Sequence, residues 1–329
     1  MLELGYNNYA SYDQKKIRRL VTRYQFFILR YRFKIGGNKI ENCFITCSGK
    51  TDGIGAQVQA ILSTMLFAKE FCLTYVHTPF THIEHNELNE NWEDYFNLGK
   101  DELTIGNIKR SCTIAHLKRN LMKFRYKSNT LYSVFDCHLF ADIYPDRYSR
   151  ITDRFIEKYM SSSKKAYNSY YEAGKINIAV HVRRGDVCLE NVKTKHRYTD
   201  NLYYQSLLCK IISILNDFNV DVSIHLYSQG SIEDFHELKE IDINYHLDEC
   251  ALTTFYNLTS TDILVMSKSS YVYSAALLSK AIKIHEPFWH KPCYDWIVTN
   301  WSKRIKQVMF DESILKERVH GILAQRRNL

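Results

Sequence analysis

The sequence predicts an α/β protein built on parallel sheets. One observation is a regular alternation after residue 175: strand 176–184, helix 201–217, strand 221–227, helix 231–239, strand 243–246, helix 250–258, strand 262–266, helix 270–279, strand 281–285. Strands separated by helices of about ten residues imply right-handed crossovers and therefore parallel pairing. A second observation is the apolar run of Ile178, Ala179, Val180 and Val182, which fits an interior strand covered on both faces. The third is how that run ends. His181, Arg183, Arg184 and Asp186 follow it at once, and open α/β sheets bind ligands at the carboxyl ends of their strands.

Upstream the elements are shorter. Residues up to Glu41 form a basic, aromatic lead-in containing VTRYQFFILRYRFKI, with mixed helix and strand character. Asn42 to Cys47 reads as a strand, and Gly55 to Phe71 as an amphipathic helix carrying Ile61, Leu62, Met65, Leu66 and Ala68 on a helical period. The turn before it, Gly53 to Gln57, is a strand-to-helix turn and not a dinucleotide fingerprint, because Val58 stands where the third glycine is needed. Thr74 to Val76 is the next short strand. The segment HTPFTHIEHNELNENWEDYF then carries His77, His82 and His85, which fit either a metal site or a sugar-binding loop. Polar SSSKKAYNSYYEAG, Ser161 to Gly174, marks a domain boundary, giving domains 1–165 and 166–329. Ser231 with Asp234 caps the helix that follows. PFWHKPCYDW, with Phe288, Trp289, His290 and Trp296, is cleft wall or core, and Asn300 to Arg327 reads as helical throughout.

Composition narrows the function. The chain has 329 residues, 45% of them hydrophobic and 14% aromatic, enough for two packed cores. Its formal charge of +8 suits an anionic ligand. No basic block exceeds clusters such as Lys15, Lys16, Arg18 and Arg19, so nucleic acid is not an expected partner. No apolar run is long enough to span a membrane and the first residues lack the pattern of a signal peptide, so a soluble, cytoplasmic protein is expected. Nine scattered cysteines without a Cys-x-x-Cys pair argue against a disulfide framework or a structural zinc site. Sequons occur at Asn257 and Asn300, the first close to the strand that begins near Asp262.

The His181 to Asp186 segment carries the chemistry. On a pleated strand His181 and Arg183 share one face, Arg184 turns to the other, and Gly185 lets the backbone bend away. Adjacent guanidiniums repel unless an anion lies between them, and their planar forks match a phosphate, so a diphosphate is the expected guest. The other reading is a structural ion pair with Asp186.

His181, Arg183, Arg184 and Asp186 reproduce the His-x-Arg-Arg-x-Asp signature of the α1,2/α1,6-type and protein O-fucosyltransferases, and in this the chain resembles that superfamily. Two further segments share the resemblance: TDGIGAQVQAILSTMLFAKEF from Thr51, similar to its Gly-x-Gly-x-Gln element, and TDILVMSKSSYVYSAALLS from Thr261, similar to its later nucleotide-site motif. Ala56 departs from the Asn that several relatives carry. The resemblance implies a GT-B architecture of two Rossmann-like domains facing a cleft, with an acceptor-side domain 1–165 and a nucleotide-sugar domain 166–329. It implies inverting, metal-independent transfer of fucose from GDP-fucose to a glycan hydroxyl, with no cofactor beyond the sugar-nucleotide donor and an oligosaccharide or glycoconjugate as acceptor. By the same resemblance Arg183 holds the β-phosphate, His181 contacts the guanosine and Asp262 takes the guanine edge. Ser269 and Ser270, at a strand-to-helix turn, favour phosphate, and Arg184 holds Asp186 or the neighbouring loop. Lys268 adds charge or points to solvent. Glu190 is the first candidate for general base and Asp186 the reserve, and Asp52 and Gln57 bind sugar or simply form the turn. Another GDP- or UDP-sugar as donor, or a non-catalytic sugar-nucleotide or glycan-binding protein of the same fold, are the alternatives.

Overall fold

The computed structural model describes residues 20–29, 42–84, 91–108, 112–162 and 169–327. The expected boundary between residues 165 and 166, the Lys15 to Arg19 cluster and His85 lie outside these residues. Helix α1 (20–29) is the part of the basic lead-in that falls inside them, and its Phe26 and Leu29 are buried.

The chain divides into two compact units. One comprises the described residues of Met1–Lys50, Ala60–Thr78 and Asp101–Tyr144, the other those of Thr51–Gln59, Pro79–Lys100 and Pro145–Leu329. The first unit is a five-stranded sheet in the order β3-β2-β1-β5-β4, formed by β1 (Cys43–Cys47), β2 (Thr74–His77), β3 (Leu103–Thr104), β4 (Thr113–Lys118) and β5 (Thr130–Val134). All four pairings are parallel. Helix α2 (Ile54–Glu70) connects β1 to β2, and from Ala60 onward it buries Ile61, Leu62, Met65, Leu66 and Ala68, the positions its periodicity marks. Rings pack the same core: Phe67 stacks on Phe71 at 4.2 Å and meets Phe26 and Phe140 edge-on. Such stacked and edge-to-face pairs add to the area they bury.

The second unit holds a six-stranded sheet in the order β11-β10-β9-β6-β7-β8. Its strands are β6 (Ile176–His181), β7 (Val222–Ser228), β8 (Asn244–Leu247), β9 (Ile263–Met266), β10 (Ile282–His285) and β11 (Ile297–Val298). Every pairing is parallel. Chain order therefore runs outward from β6 in two directions, through β7 and β8 on one side and β9, β10 and β11 on the other. Helices α3 (Trp92–Phe96), α4 (His138–Ile143) and α5 (Thr152–Met160) precede this sheet in the chain, and α6 (Asn201–Asn216), α7 (Ala251–Ser260) and α8 (Ser270–Leu277) supply its crossovers. A 3₁₀ segment, Ile232–Leu238, takes the place of the helix expected at 231–239, and Ser231 and Asp234 form the expected cap, with the Ser231 N–H donating to Asp234 Oδ2 at 2.8 Å.

All six residues of β6 are buried, and Ile178 and Val180 pack with Leu207 and Ile211 of α6, Val265 of β9 and Ile284 of β10. Cutting one such side chain to alanine costs about 2–5 kcal/mol, so this layer dominates the unit's stability. The tail departs from expectation. Asn300 opens an antiparallel hairpin of β12 (Asn300–Ser302) and β13 (Gln307–Met309), and only Glu312–Arg327 is helical, as α9. Alternation is the reason: Trp301 pairs with Val308 across the hairpin, and Val308 is buried beside Leu315 and Val319 of α9.

The opening of α2, up to Gln59, belongs to the second unit, where it meets the start of α8. A Cβ on Gly55 would overlap the backbone N and Cα of Tyr271, and Ser274 Oγ donates to the Gly55 carbonyl at 2.7 Å. Only glycine permits that approach. Gly53 has no atom within 4 Å of a built Cβ. Gly55→Ala is therefore expected to destabilise the protein by about 1–3 kcal/mol, the usual range for overpacking, and Gly53→Ala by much less. Equal urea midpoints for the two variants would contradict the contact.

Candidate functional site

The reversal of strand order between β6 and β9 opens a crevice at the carboxyl edge of the second unit's sheet. Ligands of open α/β sheets bind at such a switch point. Two chain segments leave the sheet there: Val182 to Asp186 after β6, and Ser267 to Ser270 after β9. His181 and Ser267 tie the two strand ends together, His181 Nδ1 lying 2.7 Å from Ser267 Oγ. Burial, with the Arg183 charge as a smaller cause, lowers the His181 pKa to about 3. The ring is therefore neutral at physiological pH and works as a hydrogen-bonding group, not as a cation or an acid.

The arginine pair is divided by the pleat. Arg183 stays at the crevice, partly exposed, in an ion pair with Asp186. Arg184 turns away, donating to the carbonyls of Arg183 and Thr199 at 3.0 Å each and to Asn201 Oδ1 at 2.5 Å, with its guanidinium 4.3 Å over the Tyr198 ring. Of the two places expected for Arg184, Asp186 or the neighbouring loop, it takes the loop, so the two guanidiniums do not face one another across a shared anion site. Asp186 belongs to Arg183, and Arg184 braces the loop that leads to α6. Gly185 makes the divergence possible: its φ is +70°, and a Cβ there would run into the Gln229 side-chain amide.

On the β9 side the Ser-Ser turn lies where the sequence placed it. Ser269 Oγ caps α8 by accepting the Tyr271 N–H at 3.2 Å, and Ser270 Oγ sits 3.3 Å from His290 Nε2. The first amides of α8 face the same edge as Arg183, a combination of dipole and cation suited to an oxyanion. Arg183 acts electrostatically on the Tyr271 hydroxyl, whose pKa is raised mainly by burial. Lys268 is not free at the surface. It pairs with Glu286 at 2.8 Å, and Glu286 also accepts Thr199 Oγ1 at 2.6 Å. Burial raises the Glu286 pKa and Lys268 opposes the shift. This buried network under the crevice had no signal in the sequence, because Thr199, Lys268 and Glu286 come from three separate loops.

Asp262 is elsewhere. It immediately precedes β9, so in a parallel sheet it lies at the amino edge, opposite the crevice. There it accepts the Asn177 N–H at 2.8 Å and holds Arg326 of α9 through both oxygens, at 2.7 and 2.8 Å. That placement corrects the assignment of Asp262 to the guanine edge: it fastens the C-terminal helix to the sheet. Glu190 is exposed, in a loop tied back by Asn191 Nδ2 and Thr194 Oγ1, which donate to the Asp186 carbonyl at 3.0 and 2.6 Å. Gln57 is buried, and its amide donates to the carbonyls of Asp52 and His82 at 2.6 and 2.7 Å, a turn-forming role. His77 is buried beside Tyr75 and His82 is exposed, and no group of three metal-ligating side chains forms among the described residues.

The PFWHKPCYDW segment is both core and edge. Phe288, His290 and Trp296 pack around Tyr273, with Trp296 and His290 buried, while Trp289 is half-buried and faces Arg197. Asn257 is fully buried, its amide bonded to Thr253 and Tyr170, which closes that sequon in the folded protein. All nine cysteines are free, and among the described residues no helix is long and apolar enough to cross a membrane.

In the first unit, Asp136 follows β5 and gathers Arg119 Nε at 3.3 Å, His138 Nδ1 at 3.7 Å and Lys50 Nζ at 3.9 Å. This cluster stands at that sheet's own reversal, between β1 and β5. It too was invisible in the sequence.

No family model and no curated protein matches the chain. Among solved structures it is similar to a mutant of FUT1 from Arabidopsis thaliana in complex with GDP, at 13% identity and a TM-score of 0.38, covering 85% of this chain and 80% of that one. It is similar to the fucosyltransferase NodZ from Bradyrhizobium, at 14% identity and a TM-score of 0.36, covering 82% and 99%. A third is POFUT1 in complex with GDP, at 15% identity and a TM-score of 0.37, covering 74% and 97%.

The position of Asp262 separates structure from recognition. Asp262→Asn is expected to lower stability by about 1–3 kcal/mol, because one carboxylate serves both Arg326 and a backbone amide. It is expected to leave nucleotide affinity unchanged. Calorimetric titration of GDP into a variant that still folds tests this, and a large loss of affinity would restore Asp262 to the site.

Proposed function

We propose that the chain is an inverting glycosyltransferase whose donor is a nucleoside diphosphate sugar, most specifically GDP-fucose, and whose acceptor is a glycan hydroxyl. One observation carries the diphosphate: Arg183 stands at the switch point between β6 and β9, beside the amino end of α8, paired with an exposed carboxylate that a phosphate can displace. The choice of GDP-fucose rests on the His-x-Arg-Arg-x-Asp resemblance of residues 181–186. His181, Gln229 and the residues that follow β7 and β8 are the groups on the nucleoside side.

The reaction has three parts. The acceptor hydroxyl attacks the anomeric carbon as the bond to the β-phosphate oxygen breaks, so the nucleoside diphosphate departs with the bonding pair. Arg183 and the first amides of α8 meet the charge that grows on that oxygen, an effect worth several kcal/mol in a closed site. A carboxylate takes the hydroxyl proton. We assign this role to Glu190, an exposed carboxylate beyond the arginine strand, with Asp186, released when a phosphate takes Arg183, as the reserve.

The two arginines should respond differently. Arg183→Ala is expected to lower transfer at least about 100-fold, or ~2.7 kcal/mol, with the melting temperature kept, and Arg183→Lys should not restore it because the bidentate fork is lost. Arg184→Ala should instead lower stability, since it removes the donor to the Thr199 carbonyl and Asn201 Oδ1. The decisive assay pairs GDP and UDP titrations with donor turnover in the presence and absence of EDTA. Failure of the wild type to bind either nucleotide, or full activity in Arg183→Ala, would refute the reading.

A further inference from the structure

The loop that follows Arg183 carries a second cation with a different status. Arg197 ends the 3₁₀ turn Lys195–Arg197, and its guanidinium lies 5.1 Å over the ring of Trp289, from the loop after β10. His196 approaches the same ring at 6.0 Å. Phe288 and His290, its neighbours in the chain, both pack on buried Tyr273 and so anchor the backbone on either side of Trp289.

What distinguishes Arg197 is its lack of an acceptor. Arg183 has Asp186, Arg184 has two carbonyls and Asn201, and Lys268 has Glu286. Arg197 is half-buried, its Nε is shielded from solvent without a hydrogen-bond partner, and no carboxylate or carbonyl pairs with it among the described residues. Desolvating a guanidinium without an anion costs more than an exposed one would, and stacking fixes the plane of its donors. Lys193 and Lys195 add charge nearby. Of the acids in that segment, Asp200 caps α6 through the Leu202 N–H at 2.9 Å, and Asp186 pairs with Arg183.

Position indicates which ligand the cation meets. The strands β6, β7 and β8 form the mononucleotide half of the sheet, and a nucleoside lies over that half when its phosphates sit at the switch point. Trp289 follows β10, on the other half. The group reached from there is what the diphosphate carries and what receives it.

We propose that Arg197, stacked on Trp289, is an anion receptor for a carboxylate or sulfate on the acceptor saccharide, so that acidic glycans are the preferred acceptors. The proposal rests on the glycosyltransferase reading. Its test uses calorimetric titration of the full chain, saturated with GDP, with heparan sulfate and chondroitin sulfate tetrasaccharides and with their desulfated, carboxyl-reduced counterparts. At least one acidic saccharide is expected to bind about tenfold or more tightly than its neutral counterpart. Arg197→Gln should abolish the difference, Arg197→Lys should keep part of it, and both should bind GDP as the wild type does. GDP binding in each variant also reports that it has folded. Equal binding of acidic and neutral saccharides, or a preference that survives Arg197→Gln, would overturn the proposal. So would a loss of GDP affinity in Arg197→Gln and Arg197→Lys, which would make Arg197 a donor ligand. If the wild type fails to bind GDP, the donor reading falls by itself, and the saccharide comparison repeated without GDP still decides the role of Arg197.

Discussion

The second unit depends on the burial of β6. It is the strand from which the sheet grows in both directions, and its six residues are shielded on both faces. A parallel strand so placed must be apolar along its length, so it cannot carry polar function until it ends. At its end the constraint lifts at once. His181 bonds to Ser267 of the neighbouring strand, and everything from Arg183 onward enters the crevice or the loop around it.

Because strand order reverses between β6 and β9, the segments that leave them flank one switch point. One brings guanidinium groups and the other brings the amino end of a helix. The pleat decides which guanidinium is free for a ligand. Successive residues point to opposite sides, so Arg183 remains at the edge while Arg184 is consumed by Thr199, Asn201 and Tyr198. The positive φ of Gly185 lets the chain turn between them. A buried Lys268–Glu286–Thr199 network underlies the same loop and holds it in place.

The strands and helices between residues 176 and 285 were legible because burial imposes periodicity, and their bounds shift by only a few residues. The chemistry at the end of β6 was legible for the same reason: polar groups that interrupt an apolar strand must have an exit. Asp262 shows how that argument can be misapplied. A residue that precedes a strand in a parallel sheet lies at the opposite edge from residues that follow one, and the carboxylate pairs there with Arg326. Chain direction alone would have placed it. The hairpin at Asn300 was hidden by its charged turn, Lys303, Arg304 and Lys306, which reads as one exposed helical face. Contacts such as Arg197 on Trp289, or Asp136 with Lys50, join loops far apart in sequence and have no local pattern to betray them.

Hydrogen exchange with and without GDP tests the central claim most directly, because it reports where a ligand acts without assuming a reaction. The account predicts slower exchange in two segments, 181–187 and 267–273, and no change around Asp262 and α9. Protection confined to the amino edge of the sheet, or to neither segment despite bound GDP, would contradict it.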